Sequence, residues 1–557
     1  MLNKILSLTY NEILKQVKKK SVQIIIGLIF ILAIVFPIII NNINKTSGYD
    51  KYDIENLNTR LNNVNKQIEI LKSDKTEKAR ILMNNLEKEK RYVELSKAGK
   101  IGYYDWRKEE LNNYSSTYSK IFLLKEILNN TNLNVILENA REVNSLDIER
   151  YSELSKEQLK KEISILEKDL KESENIILQK DYIKYITKNT YELEQRIDEN
   201  KKSLEVLKRQ LKKNTNNNEV KIEINNLTER IDRDNSILNI DKYRLNNKIN
   251  FEKDNWKNNA LNDIKENVED LKKPLLTKEE FNKNKYQLNI KMNYEEYKKQ
   301  YEEKSKELKD SIDIKWYSLK NNKPQLDNIE DARSILNTVS NQHIILTILT
   351  LIIIGGGIIA TEFSKGTIRL LLIRPVSRGK VLFSKLLALL IIGYGIIISA
   401  ILISTIVSGI IFGFKTLGIP ILKVASDKII EVSFIQYLAQ NVLLTSMSFV
   451  FITALVFMLS TVTKNIAISV ALSMILYLGS MPLTAILLTM NIKWIANTFL
   501  PYINQAFFNL MPSFVEILRV KSGVKLNSYN GAIQLFLISI VLIGIAFITF
   551  IKKDIKN

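Results

Sequence analysis

Five stretches of this 557-residue chain, 341–361, 386–414, 434–462, 466–490 and 531–551, contain no Asp, Glu, Lys or Arg. A bilayer core is crossed by roughly 20 apolar residues in a helix. In lipid every backbone N–H and C=O must find its partner within the segment, which leaves an apolar run little choice but the helix. Each of the five has the length required and is expected to span the membrane. A sixth stretch, 21–42 ("SVQIIIGLIFILAIVFPIIINN"), is also uncharged. It is too long for the core of a signal peptide and lacks a small-residue cleavage site, so it reads as a retained helix. The expected fold class is an all-α membrane protein with six transmembrane helices.

Charge then sets orientation. The chain has 80 Lys and Arg against 60 Asp and Glu, a net +20. Residues 1–41 and 340–557 hold +4 and +12 of it, while the long segment 42–339 holds only +4. A nucleic-acid binder concentrates its positive excess on a soluble domain; here the excess lies beside apolar runs, so nucleic acid is not an expected partner. Lys and Arg in short loops mark the cytoplasmic side. They cluster in 1–20 (Lys15, Lys18, Lys19, Lys20), in 362–385, at the turn carrying Lys464, and in the tail 552–557. The segments 415–433 and 491–530 carry seven bases between them, so the asymmetry is one of degree. It places both termini in the cytoplasm and 43–340 outside, a long domain being translocated largely regardless of its charge. Heavy use of Lys, Asn and Ile suggests an AT-rich bacterial genome, hence a multi-pass protein of a bacterial cell (plasma) membrane.

With no cysteine the chain has neither disulfides nor thiolate metal sites. The lone histidine, His343, reads as a boundary residue at the edge of an apolar run. No G-x-x-x-x-G-K-[ST], H-E-x-x-H or G-x-S-x-G occurs. The spans offer no acid or base at mid-membrane for an ion relay. The chain is expected to be no enzyme and to hold no cofactor; a transport activity would need an energy source on another chain.

Residues 43–340 read as a helical, coiled-coil domain. Ile54, Leu57, Leu61, Val64, Ile68 and Leu71 recur at three- and four-residue spacing among polar residues, within a pattern covering 51–98. A second run, Leu193 to Leu211, is interrupted by "KKNTNNNE" and resumes from Val220 to Leu238, the pattern of an antiparallel hairpin. At the usual rise a 40-residue helix would extend roughly 60 Å. Breaks at "SKAGKIGYYDW", Pro274 and "NNKPQL" imply several helices. The domain is either a stalk without chemistry or a receptor or substrate-handling surface, for which Tyr103, Tyr104, Trp106, Tyr114 and Tyr118 form the candidate patch.

The segment between the second and third spans, "TEFSKGTIRLLLIRPVSRGKVLFSKLLALL" (361–390), is basic yet apolar in its middle. Two short helical pieces are expected. Gly366 and Thr367 allow a turn, Pro375 stops the first piece, and Ser377 caps the second, which runs through Lys385 into the third span. This stretch resembles the segment after the second span of ABC-2 type ABC transporter permeases. Those often show a Glu, a Gly-Thr, a Leu-rich run, a Pro and a basic residue before a Lys-bearing third helix. The matching residues here are Glu362, Gly366, Thr367, Leu370–Leu372, Pro375, Arg378 and Lys385.

The resemblance implies a coupling helix that docks on a separate ABC ATP-binding subunit, which carries the ATP and Mg. The candidate coupling residues are Glu362, Phe363, Gly366, Thr367, Arg369, Leu371, Arg374, Pro375, Arg378 and Lys385. It also implies a second permease copy or a related permease. Residues 1–20 fit the family's elbow helix, with Leu2, Leu6, Ile13 and Val17 on an apolar face and Lys4, Asn11, Lys15 and Lys18 on a polar one. The large insertion after the first span departs from many members, although the phage-infection-protein type also carries one. Gly393, Gly395 and Pro482 mark either kinks or close packing, and 491–530 should hold short helices on the outer side. The expected function is the permease of an ATP-driven exporter of a hydrophobic or amphipathic compound such as an antimicrobial peptide, lipid or drug. The alternative is a membrane-anchored surface receptor, sensor or scaffold acting through its coiled coil.

Overall fold

The structure, a computed structural model, describes residues 2–46, 49–102, 105–139, 145–213, 217–252, 254–287, 290–367 and 377–552. Its helices in chain order are α1 (Leu2–Val17), α2 (Lys20–Thr46), α3 (Tyr49–Leu71), α4 (Glu77–Ala98), α5 (Arg107–Leu128), α6 (Leu133–Asn139), α7 (Ser145–Ser152), α8 (Lys156–Gln179), α9 (Tyr182–Lys213), α10 (Asn218–Asn246), α11 (Trp256–Leu271), α12 (Lys278–Gln287), α13 (Tyr294–Asn321), α14 (Ala332–Ser364) and α15 (Arg378–Phe412). A hairpin of β1 (Ile421–Ala425) and β2 (Lys428–Val432) follows, then α16 (Phe434–Thr463), α17 (Ile466–Thr489), α18 (Gln505–Leu510), α19 (Pro512–Ser522) and α20 (Ser528–Lys552). The protein is thus almost wholly α-helical. The chain forms two compact units, Met1–Asn44 with Glu266–Asn557, and Lys45–Lys265.

In the first unit α2, α14, α15, α16, α17 and α20 are long and apolar enough to cross a membrane. Their arrangement follows from how much of each must be hidden. The apolar window of α14 is 72% buried, against 17% for α2 and 22% for α17 and α20. Accordingly α14 sits at the centre, packed by α15, α16 and α17, while α16 also packs on α20. A Cβ on Gly393 would stand 2.3 Å from the Phe449 ring and 2.7 Å from Leu351, whereas Gly395 has nothing within 4 Å. Gly393 is therefore a close-packing residue and Gly395 is not. Gly393→Ala is expected to cost about 1–3 kcal/mol by overpacking and Gly395→Ala under about 0.5 kcal/mol, read as thermal unfolding of the detergent-solubilised protein.

His343 is not a boundary residue. It is fully buried in α14, its Nε2 lies 2.8 Å from Ser404 Oγ on α15, and Ser404 donates to the Ala33 carbonyl on α2 at 2.9 Å. Three spans are stitched by one polar chain, a use of Ser and His that apolar surroundings favour because the alternative is an unsatisfied group. The buried groups also extend past the apolar runs. Glu362 and Lys385 lie 4% and 3% exposed within α14 and α15, and Arg333 is fully buried at the start of α14.

The stretch 266–331, part of the expected external segment, lies in the same compact unit as the spanning helices. Arg519 pairs with Glu307 at 2.8 Å, Lys525 with Glu307 at 2.6 Å, and Lys304 with Glu516 at 3.3 Å. Tyr317 and Lys323 both reach Glu431 on β2. The hairpin itself turns on Ser426 and Asp427, both at positive φ, as a two-residue turn of matching twist requires.

The second unit is a set of paired helices. α9 and α10 pack antiparallel across the Asn-rich break, with Leu193, Ile197, Ile231 and Leu238 as their seam. A buried Asp234 carboxylate accepts two bonds from Arg196, each at 2.8 Å. The 51–98 pattern is not one rod: it divides at 72–76, where Thr76 caps α4, and α3 folds back on α4.

Candidate functional site

The described residues place Glu362 and Lys385 at the end of the bundle that carries α1. α14 does not stop with its apolar run. It continues through Glu362 and Phe363 to Ser364, and Gly366 then turns the chain at φ +69°, a conformation glycine adopts without a Cβ penalty. α15 starts at Arg378. Ser377 occupies its N-cap position, extended, but makes no side-chain capping bond.

Between these helix ends lies an ion cluster. Lys385 Nζ donates to Glu12 Oε2 at 3.0 Å, Glu362 Oε1 at 3.3 Å and the Ile358 carbonyl at 3.3 Å, using all three of its hydrogens. Lys15 pairs with the same Glu362 oxygen. Thr367 Oγ1 donates to Glu362 Oε2 at 2.7 Å, pinning the start of the connecting segment to the helix it leaves. Gln16 Nε2 donates to Glu12 Oε1 at 2.7 Å, and Lys19 reaches Gln16 at 2.5 Å. Two carboxylates meet two ammoniums, so the cluster is neutral, the condition under which buried charge is tolerated. Lys19, at its edge, has its ammonium pKa lowered by burial and then by Lys15.

The result is a rigid joint of α1, the end of α14 and the start of α15. Phe363 extends it: Lys464 Nζ, in the turn between α16 and α17, stands 4.4 Å from the Phe363 ring centroid, a cation–π contact. The root of the connection between α14 and α15 is thus held by α1 and by two other parts of the bundle. This arrangement fixes the three helix ends to one another, and among the described residues it brings together no nucleophile with a paired general acid and base. Among the described residues no group of His, Asp and Glu is placed to hold a metal ion.

Of the candidate residues, Glu362, Phe363, Gly366, Thr367 and Lys385 come together here, and Arg378 stands on the first turn of α15. Arg369, Leu371, Arg374 and Pro375 lie outside the described residues, as does the first of the two expected helical pieces. Glu12 and Gln16 were missed. Of the expected apolar face of α1, Ile13 and Val17 pack against the core of the bundle and Leu6 is 51% exposed, while Thr9, Glu12 and Gln16 are buried beside them. The available signal was Glu12 itself, the single acid among five Lys in residues 1–41.

The aromatic patch divides differently. Tyr114 is buried with Leu95, Leu111 and Ile177, and Trp106 stacks against Phe251 at 5.1 Å and Tyr185 at 4.8 Å. Both are packing residues of the second unit, Tyr118 is half-buried, and Tyr103 and Tyr104 lie outside the described residues.

Six apolar helices with α14 at their centre, their organised charge confined to the helix ends, define a multi-pass membrane protein. Residues 197–555, more than half of the chain, match the profile of the ABC-2 family transporter proteins. The chain belongs to that family, whose members are membrane transport components. It is similar to the uncharacterized protein YhcI of Bacillus subtilis (strain 168), 32% identical over 222 residues, covering 40% of this chain and 68% of that one. It is also similar to the uncharacterized membrane protein YdbK of the same organism, 27% identical over 233 residues, covering 41% and 85%. No solved structure matches it.

Proposed function

We propose that this chain is the permease subunit of an ATP-driven exporter in a bacterial cell membrane, with both termini in the cytoplasm. The observation that carries the proposal is the joint of Lys385, Glu12, Glu362 and Lys15 at the root of the 365–377 connection. A segment meant only to link two spans needs no buried ion cluster holding its start to a third helix. A segment that receives force from a soluble partner does. In this reading the connection seats in a cleft of a separate ABC ATP-binding subunit, which holds ATP and Mg. The permease works as a pair, with itself or with a related chain. Nucleotide-driven movement of the partner passes through Glu362 and Lys385 into α14 and α15 together. The apolar spans suit a hydrophobic or amphipathic cargo such as an antimicrobial peptide, lipid or drug.

The test is affinity purification of the full chain from its native membrane, followed by ATPase measurement. An ATP-binding subunit should co-purify and its hydrolysis should be stimulated by the permease. Glu362→Gln and Arg374→Ala should lose that stimulation while still reaching the membrane. Stimulation unchanged in both variants, or no ATP-binding subunit in the purified complex, would remove the coupling assignment.

A further inference from the structure

At the end of the bundle opposite the ion cluster, a cavity of about 440 Å³ opens among α14, α16 and the short helices after α17. Its lining mixes apolar side chains (Leu444, Phe508, Pro512, Val515 and Leu526) with uncharged hydrogen-bonding ones, six of which stand in pairs one helical turn apart. Asn337 and Asn341 come from α14, Asn441 and Thr445 from α16, and Gln505 and Asn509 from α18. At a pitch of about 5.4 Å, residues four apart share a helix face, so all three helices present amide or hydroxyl groups to one space.

These groups are tied together but not exhausted. Asn509 Nδ2 donates to Asn341 Oδ1 at 2.9 Å and Thr445 Oγ1 at 3.1 Å. Asn441 Nδ2 reaches Asn337 Oδ1 at 3.5 Å, and Gln505 Nε2 donates to Ser528 at 2.6 Å. Asn441 Oδ1 and Gln505 Oε1 accept no hydrogen bond among the described residues. The one charged group in the lining, Glu516, already faces Lys304 at 3.3 Å and Arg519 at 3.7 Å. A charged ligand would find no free counter-ion, and a purely apolar one would strand the amides.

We propose that the amide-lined cavity bounded by α14, α16 and α18 is a binding site for an uncharged stretch of peptide, recognised through its main-chain amides. Each peptide group offers one donor and one acceptor, and a side-chain amide offers two donors and an acceptor oxygen. The two pair reciprocally and without regard to side chain. The volume lies in the lower part of the roughly 300–1,000 Å³ range of ligand pockets, room for a few residues. The proposal goes beyond the coupling reading and draws on it only for the direction in which such a peptide would move. The site belongs to one chain and needs no ATPase, so its failure and that of the coupling reading are separately visible.

The experiment uses the full chain alone in lipid nanodiscs, titrated with the capped neutral peptide acetyl-Gly-Ser-Gly-Ser-amide and followed by saturation-transfer NMR. Maltose serves as a neutral polyhydroxyl competitor. The peptide should bind saturably, and Asn441→Leu should weaken it by about tenfold, the loss of roughly one hydrogen-bonded amide. Gln505→Met, which keeps the side chain's length, should weaken it in the same direction with an unchanged unfolding temperature. Absence of binding, equal binding by both variants, or maltose binding as tightly as the peptide overturns the assignment.

Discussion

Replacing Lys385 with Met is expected to destabilise the protein by about 3–5 kcal/mol, the scale for removing one partner of a buried ion pair. The side chain is 3% exposed and touches two carboxylates and a carbonyl. Methionine fills similar space but leaves Glu12 and Glu362 facing the gap with only Lys15 between them. Because Lys15 has a half-exposed side chain, it cannot replace an ammonium that donates from the interior. The decisive comparison is a double-mutant cycle. Glu12→Gln in the Lys385→Met background removes the carboxylate that lost its cation, leaving Glu362 balanced by Lys15. The double variant should therefore be less destabilised than the sum of the single changes, by about 0.5–3 kcal/mol. Arg378→Met, at a half-buried position on the same helix, should fall within about 0.5 kcal/mol of the parent. Denaturant unfolding in detergent reads the parent and all four variants. Strict additivity would show that Glu12 and Lys385 do not act as a unit and that α1 is not locked to the bundle through them.

That lock explains which parts of the molecule were open to sequence reading. The spans were legible because lipid imposes a length and a polarity on each helix independently of the others. The hairpin of α9 and α10 was legible because its seam and its Asn-rich break are local. The break between α3 and α4 was harder: 72–76 is as polar as the exposed helix faces around it, and only Thr76 as a cap distinguishes it. The β-hairpin had a signal that was passed over, with Ile, Leu and Val flanking a Ser-Asp turn. The ion cluster could not be read as a cluster, since Glu12 and Lys385 are 373 positions apart. Sequence placed Glu362 and Lys385 on a shared segment through a family resemblance, yet their contact, and the third helix that completes it, arise from the packing of α1. The amide cavity was equally hidden, because Asn337, Asn441 and Gln505 are ordinary polar residues until three helices bring them together.

The clamp at the opposite end of α14 should be as sensitive as Lys385. Arg333 is fully buried and Asp331 is 3% exposed at its side chain. The guanidinium donates to Asp331 Oδ2 from Nε at 2.9 Å and from Nη2 at 2.7 Å. It also donates to the Pro324 carbonyl at 2.8 Å and the Ile419 carbonyl at 3.1 Å. One planar group thus ties the start of α14 to the loop after α13 and to the loop before β1, a task suited to the fixed fork of arginine. Arg333→Met would strand a buried carboxylate and two carbonyls, an expected loss of about 3–5 kcal/mol. Asp331→Asn should be milder, about 1.5–3 kcal/mol, the range for a hydrogen bond to a charged group. Asp331 Oδ1 also caps α14 by accepting from the backbone of Arg333 and Ser334, and asparagine is an equally good cap. Only the bond to the guanidinium is compromised. The local consequence should appear before global unfolding: with Ile419 released, the 413–433 connection becomes the first site of limited proteolysis in nanodiscs. If Arg333→Met kept the parent's unfolding temperature and cleavage pattern, the guanidinium would not be what joins these elements, and the contacts of Tyr317 and Lys323 with Glu431 and of Gln325 with Leu422 would have to hold the hairpin.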